Sequence, residues 1–69
     1  MTKDEALSII DMLRSPDREI RLIAYELYTD WMINDLGKGV ATDINGLTLM
    51  LAISDLRIFV IQNELHDSR

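Results

Sequence analysis

The chain has 69 residues, 48% of them hydrophobic, with 12 acidic against 7 basic side chains, a net charge of −5 and no cysteine. At this length it reads as one domain, 1–69, too short to carry a separate catalytic unit, and apolar enough to offset chain entropy and fold. The missing cysteines exclude disulfides, thiolate metal sites and cysteine nucleophiles, and the acidic balance opposes nucleic-acid binding, which draws much of its affinity from neutralised phosphates.

Thr2 followed by Glu5 has the spacing of a capping box, and Ala6, Ile9, Ile10 and Leu13 recur at i, i+3, i+4 and i+7. This predicts a one-faced amphipathic helix over about 3–14, ended by Ser15-Pro16. Serine caps helices, proline tolerates the first helical position and aspartate favours the positive end of the dipole, so Ser15-Pro16-Asp17 predicts a second helix over about 16–36. Gly37-Lys38-Gly39 stops it, because glycine adopts the left-handed conformation that closes a helix.

At 100° per residue the second helix carries two apolar stripes. One is Ile20, Ile23, Ala24, Leu27 and Trp31, with Tyr28 at its edge; the other is Leu22, Tyr25, Met32, Ile33 and Leu36. Glu19, Glu26 and Asp30 form an acidic strip between them, and Asp17 and Arg21 sit at pairing distance in sequence on the remaining side. Thr42 or Asp43 can cap a third helix over about 43–66. Its two apolar sides are Ile44, Leu47, Met50, Leu51, Ile58, Ile61 and Leu65 against Leu49, Ala52, Ile53, Leu56, Phe59 and Val60. Thr48, Asp55, Gln62 and His66 line one polar strip, and Arg57 and Glu64 the other. The alternative is an α+β fold with a hairpin at 47–62, since Leu47, Leu49, Leu51 and Ile53 alternate with smaller or polar residues; the turn at Ser54-Asp55 lacks the glycine or asparagine that tight hairpins prefer. Fold class is therefore read as all-α, a three-helix domain.

The stretch Ser15-Pro16-Asp17-Arg18-Glu19-Ile20-Arg21-Leu22-Ile23-Ala24-Tyr25-Glu26-Leu27 resembles the turn and helix of a HEAT-type α-solenoid repeat. The resemblance covers about a fifth of the chain, has no second repeat to stack on, and carries no function over.

No catalytic, cofactor or metal site is expected. The single histidine, His66, is four residues from the end, where a helix-terminal cation explains it. Glu26 and Asp30 share a face but lack the Glu-x-x-His partners of carboxylate metal bundles. Gly37-Lys38-Gly39 follows a helix where a phosphate loop would precede one, and Asp43, Asn45 and Gly46 do not extend into a calcium loop. The start of the chain lacks a signal-peptide core, which makes the cytoplasm the default, and Asp55 and Arg57 argue against a membrane span over 44–61.

Two apolar sides on each of two helices exceed what a three-helix monomer buries. The expectation is a non-enzymatic interaction module, an acidic accessory or inhibitor protein that forms a homodimer through Tyr25, Met32, Ile33, Leu36, Leu49, Leu56, Phe59 and Val60. A larger basic or apolar protein partner would meet Tyr25, Tyr28 and Trp31 beside the acidic strip Glu19, Glu26 and Asp30. The alternative is a nucleic-acid-associated regulator of helix-turn-helix type presenting Arg14, Arg18 and Arg21.

Overall fold

The computed structural model describes residues 1–39 and 45–67, with side chains as far as Glu64. The fold is all-α. Helix α1 spans Lys3–Leu13 and α2 spans Arg18–Asp30, continued by a π-helical turn over Trp31–Asp35; α3 spans Gly46–Asp67. Residues 47–62, the segment of the hairpin alternative, lie wholly within α3.

Each boundary has a local cause. Thr2 is extended and its hydroxyl accepts from the Glu5 N–H at 3.1 Å, satisfying one of the free donors that open α1. The second helix starts two residues later than its proline suggests. Asp17 is the N-cap, accepting from the Glu19 N–H at 2.9 Å, while Ser15 accepts from the Asp17 N–H at 3.1 Å and so belongs to the turn. Aspartate caps as well as serine does, and placing the cap at Asp17 leaves Pro16 outside the helix. The expected caps Thr42 and Asp43 lie outside the described residues. Asn45 serves α3, accepting from the Thr48 N–H at 2.9 Å.

Gly37 stops the second helix with φ +65°, and the Lys38 N–H returns to the Met32 carbonyl at 2.9 Å. The π turn before it was not legible in the sequence. On a continued α-helix Asp35 would stand four residues beyond Trp31, on the face that carries Tyr28 and Trp31 into the core. In the wider turn the Leu36 N–H reaches the Trp31 carbonyl at 3.3 Å. Asp35 is thereby turned aside, and its side chain is 55% exposed.

The core is assembled around α1, which packs along both α2 and α3. Ala6, Ile9, Ile10 and Leu13 meet Ala24, Tyr25, Tyr28, Trp31 and Met32 from the second helix and Ala52, Leu56 and Val60 from the third. Ala6, Ala24 and Ala52, one per helix, are completely buried and permit close backbone approach. The aromatic rings continue the core from α2 to α3. Tyr25, Tyr28, Trp31 and Phe59 follow one another at centroid distances of 6.0, 6.2 and 5.2 Å, the last pair edge to face. Beside them the Tyr28 hydroxyl donates to Asp55 Oδ2 at 2.7 Å. The molecule measures 38 × 26 × 17 Å, about two helices thick, so each helix keeps an outward side.

Candidate functional site

The second helix buries neither of its predicted stripes intact. Its core line is Ala24, Tyr25, Tyr28, Trp31 and Met32, which runs between them and takes members of both. The remainders are exposed on the two flanks: Ile20, Ile23 and Leu27 on one, Ile33 and Leu36 on the other. The aromatic anchors expected for a partner are thus inside the chain, since Tyr25, Tyr28 and Trp31 are all buried. Glu19, Glu26 and Asp30 are exposed, and projection places Glu19 and Glu26 opposite the core line, with Asp30 displaced from them towards Leu27.

On α3 the sides are reversed relative to the expected shared surface. Leu56 and Val60 are buried, and Leu49 and Phe59 pack against the core. The outward side is the other one, with Leu47 and Met50 each 68% exposed, Leu51 58%, Ile58 51% and Ile61 55%. Of the eight side chains assigned from sequence to a dimer surface, Tyr25, Met32, Leu56 and Val60 therefore belong to the core, Leu49 and Phe59 border it, and Ile33 and Leu36 remain outside. Period alone marks two apolar sides on a helix; the position of α1 selects the one that is buried.

The exposed side of α3 has a regular spacing. Leu47, Leu51, Ser54, Ile58 and Ile61 follow one another at intervals of 4, 3, 4 and 3, a heptad spacing over two repeats with Ser54 at its centre. Thr48, Asp55 and Gln62 flank it on one side and Arg57 and Glu64 on the other. Segment Gly46–Glu64 is also long and apolar enough to cross a membrane by length and composition. Within this fold its Ala52, Leu56 and Val60 line is committed to the core and Asp55 to Tyr28.

A second apolar surface lies between α1 and α2 and was not foreseen. A groove of about 490 Å³ lies between the two, its apolar lining Met1, Ile9, Met12, Leu27 and Trp31, with Ser8 and Asn34 among the polar lining residues. Asp4 and Glu5 edge it from α1, and Asp30 and Asp35 from the second helix and its π turn. Among the described residues the lining contains no lysine or arginine. The amino terminus of Met1 stands 3.7 Å from Asp35 Oδ2, and Lys3 is turned towards Glu64 of α3 at 3.7 Å. The only sequence signal of this groove was the acidic strip, whose Asp30 forms part of the rim.

The arginines of the nucleic-acid reading are divided. Arg14 and Arg18 are exposed, whereas Arg21 is half-buried and donates from Nη1 to the Ser15 carbonyl at 2.8 Å, bracing the α1–α2 turn. Asp17, the expected pairing partner of Arg21, uses its carboxylate as the cap of α2. At the α3 N-terminus Asn45 Oδ1 also accepts from the Thr48 hydroxyl at 3.2 Å. Among the described residues no group of three or more histidine, aspartate or glutamate side chains is placed to hold a metal ion. The imidazole of His66 lies outside the described side chains.

Comparison with known proteins finds no family model, no characterised protein and no solved structure that matches the chain.

Proposed function

We propose that the protein is a non-enzymatic interaction module that self-associates by pairing α3 with α3 of a second copy. The observation that carries this reading is the heptad-spaced seam Leu47, Leu51, Ser54, Ile58 and Ile61, exposed along the outer side of α3 and bounded by polar residues on both flanks. A seam of that spacing needs a partner of the same period, and a second copy offers one that is automatically complementary in length and chemistry. Met50 widens the apolar strip on one side, and Ser54 is the one polar position within it. The dimer surface is thus proposed on Leu47, Met50, Leu51, Ile58 and Ile61, with Ile33 and Leu36 exposed elsewhere on the second helix.

Sedimentation equilibrium at micromolar concentration tests the reading. The expected result is a mass twice the 7.9 kDa of one chain for the native protein. Ile58→Asp, at a half-exposed position, returns it to a single chain with unchanged helical circular dichroism. A native protein that remains a monomer under these conditions rejects the reading. The helix-turn-helix alternative gains little support, because the side that α3 presents outward carries leucine, methionine and isoleucine where base-reading residues would stand.

A further inference from the structure

We infer that the groove between α1 and α2 is a docking site for a basic amphipathic helix supplied by another protein. The inference shares with the proposed function the premise that the chain acts by binding proteins, but it rests on a different surface, since none of the described residues of α3 lines the groove.

Three observations select this occupant. The first is charge. Asp4 and Glu5 line the groove from α1 and Asp30 and Asp35 from the second helix and its π turn; the Met1 ammonium, 3.7 Å from Asp35, offsets one of these four carboxylates, and none of the described lining residues is lysine or arginine. Carboxylates from both helices, in excess over that one ammonium, favour a ligand that brings cations to both sides, and the net charge of −5 steers such a ligand inward from a distance. The second is the lining. Ile9 and Met12 from α1 and Leu27 and Trp31 from the second helix and its π turn make the groove apolar on both sides, which suits the apolar stripe of a third helix laid between them. Met12 is only partly buried, and its unbranched side chain can re-pack around differing partners. The third is the π turn. Its wider geometry takes Asp35 off the core line and sets it at the end of the groove, and π turns of this kind occur frequently at functional sites.

Trp31 is the only tryptophan in the chain and lines the groove, so the protein carries its own reporter. The untagged full chain is titrated with a synthetic peptide of about 15 leucines and lysines, free of aromatic residues, with leucines at i, i+3, i+4 and i+7. At ~1.5 Å per residue it is long enough to lie along the 11-residue α1. The expected result is a saturable change in Trp31 emission, at least about tenfold weaker affinity on raising salt from ~50 to ~500 mM, and no response to the same peptide with glutamate in place of lysine. Glu5→Gln combined with Asp30→Asn, which neutralises one carboxylate on each helix, should weaken binding by about tenfold with helical content unchanged. The salt series on the native chain decides the matter even if that variant misfolds.

Binding of the acidic peptide, salt-independent binding, or native affinity in the correctly folded neutralised variant would overturn the assignment. So would uptake of a small alkylammonium cation without the peptide, which would mark a small-molecule pocket. Ile58→Asp separates the two proposals: it should leave peptide binding intact, and its loss in that variant would move the peptide to α3. Peptide binding by a native chain that sediments as a monomer would support the groove and reject the dimer.

Discussion

At the scale of single residues, Tyr28 and Asn45 have roles that follow from their hydrogen bonds. The Tyr28 hydroxyl, held in the core, donates to Asp55 at 2.7 Å. Burial raises its pKa well above the ordinary tyrosine value, with the hydrogen bond and the charge of Asp55 acting in the same direction. A phenol whose folded pKa is raised contributes stability that is fully present below its unfolded pKa, near 10, and is lost as the pH rises beyond it. Unfolding followed against pH should therefore show native stability falling above about pH 10, with a shallower fall in Tyr28→Phe. At neutral pH the same substitution should cost ~1–3 kcal/mol in urea denaturation, because a half-buried carboxylate loses its donor. Asn45→Ala should cost ~1 kcal/mol through the lost cap of α3, whereas the same change at the exposed, non-capping Asn34 should lie within ~0.5 kcal/mol of the native protein.

At the scale of elements, two glycines should respond with opposite signs. Gly37 occupies φ +65°, where a Cβ is strained although nothing lies within 4 Å of it, so Gly37→Ala should destabilise by ~1 kcal/mol. Gly46 opens α3 with no positive φ and equal space around its Cβ, so Gly46→Ala should stabilise by ~0.4–1 kcal/mol. Thermal melts of the two variants check both signs. The stop at Gly37 and the cap at Thr2 were legible because each depends on residues next to one another in the chain. The π turn was not, because Trp31-Met32-Ile33-Asn34-Asp35 carries no local mark of it. Its effect becomes visible only when α1 is in place to show which direction a continued α-helix would have sent Asp35.

At the scale of the whole molecule, burial separates positions that look alike in sequence. Leu56 and Ile58 are both large aliphatic residues in α3, but Leu56 is fully buried and Ile58 is 51% exposed. Leu56→Ala should destabilise the fold by ~2–5 kcal/mol in denaturant titration, while Ile58→Asp should leave monomer stability near native and act on association. Ser54→Leu completes the heptad seam and should tighten self-association by about tenfold or more in sedimentation equilibrium, with the monomer core untouched. An unchanged association constant would move the dimer surface off α3.

Local pattern in the chain marks the all-α class, the existence of three helices, the start and end of α1 and of the second helix counted through its π turn to within two residues, and the presence of apolar residues on two sides of α2 and α3. These depend on capping chemistry and period, which act over a few residues. Which side of each helix is core follows instead from packing between helices. Tyr25, Met32, Leu56 and Val60 face inward, and Leu47, Met50, Leu51, Ile58 and Ile61 face outward, because α1 packs against both longer helices and covers one side of each. The acidic groove belongs to the same level, since Asp4 and Asp30 are 26 positions apart in sequence and share a rim only after α1 folds back along α2. Periodicity counts apolar sides, and the packing of neighbouring helices chooses among them.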